Sequence, residues 1–256
     1  MKHIVQFSGG AGSWAAAMRV AERHGSDDLV LLCADTRSEH PDWREFVYAS
    51  AALTGGDLVM FDQGVDVWEL AFQQKMIPNT RVDFCSRILK REPIRNWMDE
   101  HLDPADATVY IGFDWTEEHR LVRARPHWEP WSIDAPLMWE PMLDKDDVLR
   151  WLDEVDLPMP AAYRTGMPHN NCLGTGCVKG GQAYWRKLRD EFPEAYERSA
   201  LNEEEFRRVS GKDVAILRDR RGGVTKPLTL YALAEMDDYD TSDWGSCSCM
   251  SPGAED

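Results

Sequence analysis

Residues 2–14 constrain this chain more than any other stretch. Lys2-His3-Ile4-Val5-Gln6-Phe7 is a short apolar run of strand character. It passes without a spacer into Ser8-Gly9-Gly10-Ala11-Gly12-Ser13, and residues 14–23 have the spacing of a helix. A strand, a small-residue loop and a helix N-terminus in that order make an anion site. The loop amides and the positive end of the helix dipole point at one spot. Glycine lets the backbone come close to a phosphate, and serine adds a hydroxyl donor. The spacing is neither Gly-x-x-x-x-Gly-Lys-Ser/Thr nor Gly-x-Gly-x-x-Gly; it is Ser-Gly-Gly-x-x-Ser.

The first half of the chain alternates strand and helix. Leu29-Val30-Leu31-Leu32-Cys33 is a continuous apolar run, as in a strand buried on both faces. Residues 58–61 and 108–113 are further strands, and helices are predicted over 41–53, 67–74, 93–101 and 116–125. A βαβ series of this kind folds into a parallel sheet with helices on both faces. Ligands bind beyond the carboxyl ends of such strands. Ser8, Asp35, Asp62 and Asp114 all fall near strand ends and are expected to line one edge of the sheet. The proline- and tryptophan-rich stretch 126–141 reads as irregular. Helices are predicted over 145–155, with Asp144 as N-cap, and over 182–192 and 193–210. Residues 214–218 and 228–231 are read as a hairpin. The expected division is a nucleotide-binding α/β domain over 1–142 and a smaller, helical, Cys-bearing region over 143–256.

The 256 residues, 43% of them hydrophobic, suit one α/β domain with a small appended module. No apolar run is long enough to span a membrane, and the N-terminus is already strand, so the chain is expected to be cytoplasmic without a membrane partner. The net charge of −16 disfavours loose binding to nucleic acid, though local basic groups remain: Arg120, Arg123 and Arg125, and Arg186, Lys187 and Arg189. Eleven Trp are many for this length; packing is favoured over a base-stacking surface.

Six Cys occur. In a cytoplasmic setting they are thiols or metal ligands rather than disulfides. Cys33 sits inside a buried strand and is read as a core thiol. Cys172 and Cys177 flank a glycine-bearing loop, Cys247 and Cys249 form a second pair, and Cys85 stands in Phe84-Cys85-Ser86-Arg87. Two pairs point to a metal site; zinc and an iron–sulfur cluster both fit, and redox-active thiols remain an alternative.

The Ser-Gly-Gly-x-x-Ser loop resembles the pyrophosphate loop of the PP-loop superfamily. Cys85-Ser-Arg-Ile-Leu-Lys90-Arg91-Glu-Pro93 and Gly112-Phe-Asp-Trp-Thr-Glu117-Glu118-His119-Arg120 are similar to segments of sulfonucleotide reductases. Asn170-Asn171-Cys172 to Cys177-Val178-Lys179, with Tyr184-Trp185 and Phe192-Pro193-Glu194, resembles a PAPS reductase-like group common in phage genomes. The resemblance implies a Rossmann-like (HUP-type) α/β fold. It implies an adenine nucleotide (ATP, PAPS or APS) held by Ser8, Gly9, Gly10, Gly12, Ser13, Asp35, Thr36, Gly112, Glu117 and Arg123. It implies oxidoreductase or sulfurtransferase chemistry with Cys247, Cys249, Lys90 and Arg120 as catalytic groups. His119 is a candidate for proton transfer, against a plain surface role. The resemblance implies a [4Fe–4S] cluster on Cys85, Cys172 and Cys177 with Cys249 or Cys247 as fourth ligand, ahead of zinc, and magnesium is a further expectation. Two departures stand out: Gly12 replaces the Asp of the usual loop, and the Glu-Cys-Gly-Leu-His motif of PAPS reductases is absent. The partners implied are a small-molecule nucleotide, a nucleic-acid acceptor or a thiol reductant protein, and a second copy of the chain. The alternative is a non-catalytic nucleotide or nucleic-acid binding module with a structural zinc.

Overall fold

Five strands form one parallel sheet: β1 (Lys2–Gln6), β2 (Leu29–Asp35), β3 (Asp57–Asp62), β4 (Ala107–Tyr110) and β5 (Ser132–Asp134), in the order β3-β2-β1-β4-β5. The computed structural model describes residues 1–79 and 82–245. Burial follows the order. Every residue of interior strand β2 is buried, whereas edge strand β3 is half-exposed along its length. The chain builds outward from β1 to β3, then returns to lay β4 and β5 on the other side. Its reversal therefore lies between β1 and β4, where a parallel α/β sheet opens a crevice at its carboxyl edge.

Side-chain alternation along the strands supplies two cores. Val5, Leu29, Leu31, Cys33 and Tyr110 face α1 (Ala11–His24), α2 (Trp43–Thr54) and α7 (Lys145–Glu154). Ile4, Val30, Leu32 and Val109 face α5 (Glu92–His101) and α6 (Glu118–Trp128). The sheet is thus an α/β, Rossmann-like layer with helices on both faces. A third core takes no residue from the five-stranded sheet. It unites α3 (Val67–Gln74) and Phe84, Cys85 and Leu89 with α9 (Gln182–Glu191), α10 (Pro193–Ser210) and α11 (Leu230–Ala234). Between α3 and α5 the helix is irregular: α4 (Phe84–Ser86) runs through a π-helical stretch, Arg87–Arg91, into α5. A short α8 (Ala161–Arg164) precedes the Cys172–Cys177 loop.

Three expectations need correction. The 126–141 stretch is not wholly irregular: Ser132, Ile133 and Asp134 pair with Thr108, Val109 and Tyr110 as the fifth strand. Three residues are too few to show a period, and the neighbouring prolines mask them. Helix α6 continues through Pro126 to Trp128. The hairpin is shifted. β6 (Leu217–Asp219) pairs with β7 (Lys226–Leu228), because the Thr229 hydroxyl caps α11 by accepting from the Ala232 N–H at 3.1 Å and ends the strand. The Asp144 cap is present, its carboxylate accepting from the Asp147 N–H at 3.0 Å. Trp128 and Trp131 are buried in the core, while Trp115 is exposed. Among the described residues no helix is long and apolar enough to cross a membrane.

Candidate functional site

The 8–13 loop leaves β1 at the centre of the sheet and enters α1 directly. Gly9 has φ +73°, and a side chain there would collide with the Trp43 indole. That indole donates from Nε1 to the Ser8 carbonyl at 3.0 Å. Ser13 Oγ donates to the Gly10 carbonyl at 2.8 Å and accepts from its N–H at 3.3 Å, which caps the first turn. Ser8 Oγ donates to Ser13 Oγ at 3.3 Å. Ser8 and Gly12 stay half-exposed. The loop after β4 presses on the same turn: a Cβ on Gly112 would fall 2.6 Å from the Gly12 carbonyl oxygen, and one on Gly12 would fall 3.1 Å from that of Gly112. Gly12, where an Asp was the expectation, is therefore part of a backbone-to-backbone contact across the crevice. Two residues of the C-terminal half close over the loop. The Ala11 N–H donates to Tyr163 Oη at 3.0 Å, and Asn170 Nδ2 donates to the Gly9 carbonyl at 3.0 Å.

Beyond β2 the chain turns sharply, with Arg37 at φ +54°. Asp35 holds that turn: its carboxylate accepts from the Arg37 N–H at 2.8 Å and pairs with Arg44 at 2.5 Å. Arg37 reaches Asp62 at 2.9 Å, so two of the strand-end carboxylates are tied to arginines. An open cleft lined by Asp35, Arg37, His40, Trp43 and Arg44 lies beside this turn. Thr36 is buried and faces the other way, donating to Glu39 Oε1 at 2.9 Å.

Glu39 leads to a second, enclosed feature. Cys85, Cys172 and Cys177 line one narrow cavity with Thr36, Ser86, Lys90 and Lys179. Lys90, on the π-helical stretch, is only 4% exposed; its Nζ lies 3.7 Å from Glu39 Oε1 and 3.9 Å from Cys172 Sγ. Cys172, at φ +54°, donates its N–H to the Glu39 carboxylate, and its Sγ lies 3.9 Å from Glu39 Oε1. Burial pushes the Glu39 carboxyl above its ordinary range, opposed by the Lys90 charge and the Cys172 N–H. Lys179 Nζ meets Asp83 at 3.2 Å and Arg91 meets it at 2.6 Å. Burial works against the Asp83 carboxylate, yet Arg91 and Lys179 hold its pKa below the usual value. The Cys172–Cys177 loop is clamped from outside: Gly174 donates its N–H to the Ser38 carbonyl at 2.8 Å, and a Cβ there would lie 2.3 Å from the Glu39 carbonyl oxygen.

The expected [4Fe–4S] or zinc ligands are thus brought to one cavity in part. Among the described residues no group of three His, Cys, Asp or Glu is placed to hold a metal ion. Cys247 and Cys249 lie outside the described residues. Gly245, from which the chain runs on to them, bridges Gly180 just past Cys177. Cys33 is fully buried in the sheet core, and burial raises its thiol far above the ordinary range, as suits a packing role.

The third group stands at the β4 end. Arg120 pairs with Glu117 and lies over the Phe113 ring at 4.4 Å. Burial raises the Glu117 pKa, against the pull of Arg120. Arg123 and His119 are on the exposed side of α6. Arg186 donates to the carbonyls of Leu233, Ala234 and Met236, and Arg189 to that of Ala234. The second basic group therefore caps α11 instead of forming an open patch.

Sequence reasoning did not single out Glu39, Tyr163, Asn170 or Lys179 as site residues. Glu39 and Lys179 are charged groups whose burial only the tertiary fold creates. Asn170 and Lys179 lie inside the Asn-Asn-Cys to Cys-Val-Lys motif, which was the signal available for them.

No protein-family model matches the chain, and no curated protein matches it. Among solved structures it is similar to the PAPS reductase of Candida auris in a phosphate complex, at 17% identity and a TM-score of 0.47, over 65% of this chain and 79% of that one. It is also similar to the NMN synthetase of Francisella tularensis, at 13% identity and TM-score 0.41, over 82% and 87% of the two chains. The NH3-dependent NAD synthetase of Campylobacter jejuni gives 12% identity and TM-score 0.39, over 82% and 87%.

Proposed function

We propose that this chain is a PP-loop enzyme of the PAPS reductase-like kind. It binds an adenine nucleotide (ATP, PAPS or APS) and performs sulfur transfer or reduction with cysteine thiolates. The observation that supports this most is the 170–172 segment. Asn170 grips the Gly9 carbonyl of the phosphate-type loop at 3.0 Å, and Cys172 stands in the thiol cavity 3.9 Å from Lys90 Nζ. A single short run of backbone thus joins a loop suited to phosphate to a sulfur beside a cation.

The roles follow from the chemistry of each group. The amides of the 8–13 loop and the Ser8 hydroxyl take phosphate oxygens at the N-terminus of α1. Arg120, with Glu117 fixing its guanidinium, and Arg123 meet charge on the nucleotide or its leaving group. Lys90 favours a thiolate over a thiol at the neighbouring sulfur. In reduction, a thiolate attacks the sulfonate sulfur: an S–S bond forms, the S–O bond breaks, and the nucleotide phosphate leaves with the electron pair. A second thiolate then displaces sulfite and a disulfide remains. In transfer, an acceptor oxygen attacks the α-phosphate of ATP and pyrophosphate leaves; the outer sulfur of a cysteine persulfide, loaded by a persulfide donor, then displaces AMP, and a second thiolate breaks the S–S bond to free the thiolated acceptor and leave a disulfide. Both need the same two neighbours, a phosphate loop and a thiolate.

The metal expectation stands apart from those steps. Cys85, Cys172 and Cys177 share a cavity lining, but the described side chains do not form a closed ligand set. Iron, zinc and acid-labile sulfide content of protein purified without oxygen tests the [4Fe–4S] proposal for these three thiols with Cys249. About four irons and four sulfides per chain support it; one zinc and no iron assign a structural role.

Binding is the direct test of the nucleotide reading. Wild type is expected to bind ATP or PAPS, and Ser8→Ala with Gly10→Ala to abolish that binding while the fold survives. A methyl on Gly10 would stand 3.1 Å from Tyr163 Oη and 3.5 Å from Ser8 Oγ, inside the cradle. Unchanged affinity in the double variant would sink the assignment.

A further inference from the structure

The C-terminal half holds the loop at the place a ligand would use. Ala11 is the first residue of α1, and its N–H is one of the helix donors that has no partner within the helix. Here it points at Tyr163 Oη, 3.0 Å away and 152 residues along the chain. The same hydroxyl lies 3.1 Å from where a Cβ on Gly10 would stand, so it covers the loop itself. A second hold comes from Asn170, which is 1% exposed. Its Nδ2 donates to the Gly9 carbonyl, while its Oδ1 is buried with no hydrogen-bond partner among the described residues. That is a buried polar atom at the loop to which no described residue supplies a partner.

The strap between these holds runs into the thiol cavity. Its start is pinned where the Ala161 N–H donates to Asp42 Oδ2 at 2.8 Å. Lys145 Nζ donates to the Pro168 carbonyl at 2.9 Å midway. Its end is Cys172, whose N–H donates to the Glu39 carboxylate.

We propose that Tyr163 stands in for a phosphate oxygen, and that filling the 8–13 loop releases the 161–172 strap and opens the thiol cavity. This rests on the phosphate reading of the loop given above. The Ala11 amide has one proton to donate. An anionic phosphate oxygen is a stronger acceptor than a neutral phenol. A ligand that takes the amide therefore displaces the Tyr163 hydroxyl, and α8 loses that hydrogen bond to α1. The strap keeps Asn170 and Asp42 as anchors, so it loosens without detaching. Occupation of the loop thereby biases a two-state element whose last residue, Cys172, lines the thiol cavity. Access to the thiols is then timed to the presence of nucleotide.

Hydrogen–deuterium exchange on the full chain, with inorganic pyrophosphate as the probe, tests the coupling. In wild type, pyrophosphate is expected to raise amide exchange across 161–170 by about fivefold. Tyr163→Phe keeps the ring and removes the hydroxyl. It is expected to show the raised exchange without ligand, no further rise with it, and pyrophosphate affinity at least equal to wild type. Slower strap exchange on adding pyrophosphate, or weaker pyrophosphate binding by Y163F, overturns the proposal, because Tyr163 would then be a donor to the ligand. Pyrophosphate bound with strap exchange unchanged overturns the coupling alone and leaves the loop reading standing. No binding of pyrophosphate or ATP by wild type overturns both.

Discussion

The phosphate-type loop and the thiol cavity are built in opposite ways. The loop is six consecutive residues whose working groups are mostly backbone amides, shaped by Gly9 at φ +73° and by the contact of Gly12 with Gly112. The cavity is built from side chains of distant segments: Thr36, Cys85 to Lys90, and Cys172 to Lys179. A backbone site depends on sterics and tolerates changes of charge around it. A side-chain site depends on paired charges and is exposed to pH and to the loss of any one partner. Two sites beyond the carboxyl ends of neighbouring strands thus respond to different insults.

The largest expected effect falls on the loop. Gly9→Ala forces a positive φ on a residue with a side chain, and its Cβ would lie 2.2 Å from Trp43 Nε1. Loss of stability of about 4 kcal/mol, with loss of nucleotide binding, is expected in a denaturant titration and a binding assay. Wild-type stability would break the steric half of the comparison.

Lys90→Met is the matching change in the cavity. It leaves the Glu39 carboxylate, already raised by burial, without its counter-charge. A cost of about 3 kcal/mol is expected near neutral pH. The cost should shrink as pH falls and Glu39 takes a proton, and K90M with Glu39→Gln should recover most of it. A pH-independent loss would show that packing, and not charge, holds the cavity.

Glu203 extends the contrast into the core shared with the cavity. It is 1% exposed, it accepts from the N–H of Ile216 at 2.8 Å and of Leu230 at 2.7 Å, and burial pushes its pKa up to about 7. The folded state therefore holds a proton that the unfolded state, near 4.5, has released. Stability is fully present below the unfolded value and is lost as pH rises through about 7. About 3 kcal/mol is at stake between those limits. Glu203→Gln should flatten that slope in melts taken from pH 4.5 to 8; an unchanged slope assigns it to other groups.

These three residues also show what a sequence reveals. Gly9 sits in a contiguous motif at a strand-to-helix junction, so its role is visible without a fold. Glu39 and Glu203 carry no local mark; each becomes a buried acid only when the chain brings apolar segments around it. The parallel sheet was legible because β1, β2, β3 and β4 have continuous apolar runs. β5 was not, since three residues between prolines carry no period. The convergence of Cys85 with Cys172 and Cys177 was available from a family likeness alone, and no spacing in the chain implies it.

The smallest expected effect is at the rim. Arg44 is largely exposed, and its pair with Asp35 is worth less than about 1 kcal/mol. Arg44→Ala should leave the melting temperature nearly unchanged while releasing the Asp35 carboxylate into the cleft. A large destabilisation would make the rim part of the framework.

The central claim is that loop and cavity serve one reaction. The direct measurement is product release by reduced protein, without oxygen, from PAPS and from ATP, in wild type and in Cys172→Ser. The account predicts sulfite or AMP from wild type, none from C172S, and nucleotide affinity retained in both. Tight nucleotide binding with no product from wild type, or full turnover by C172S, would contradict it.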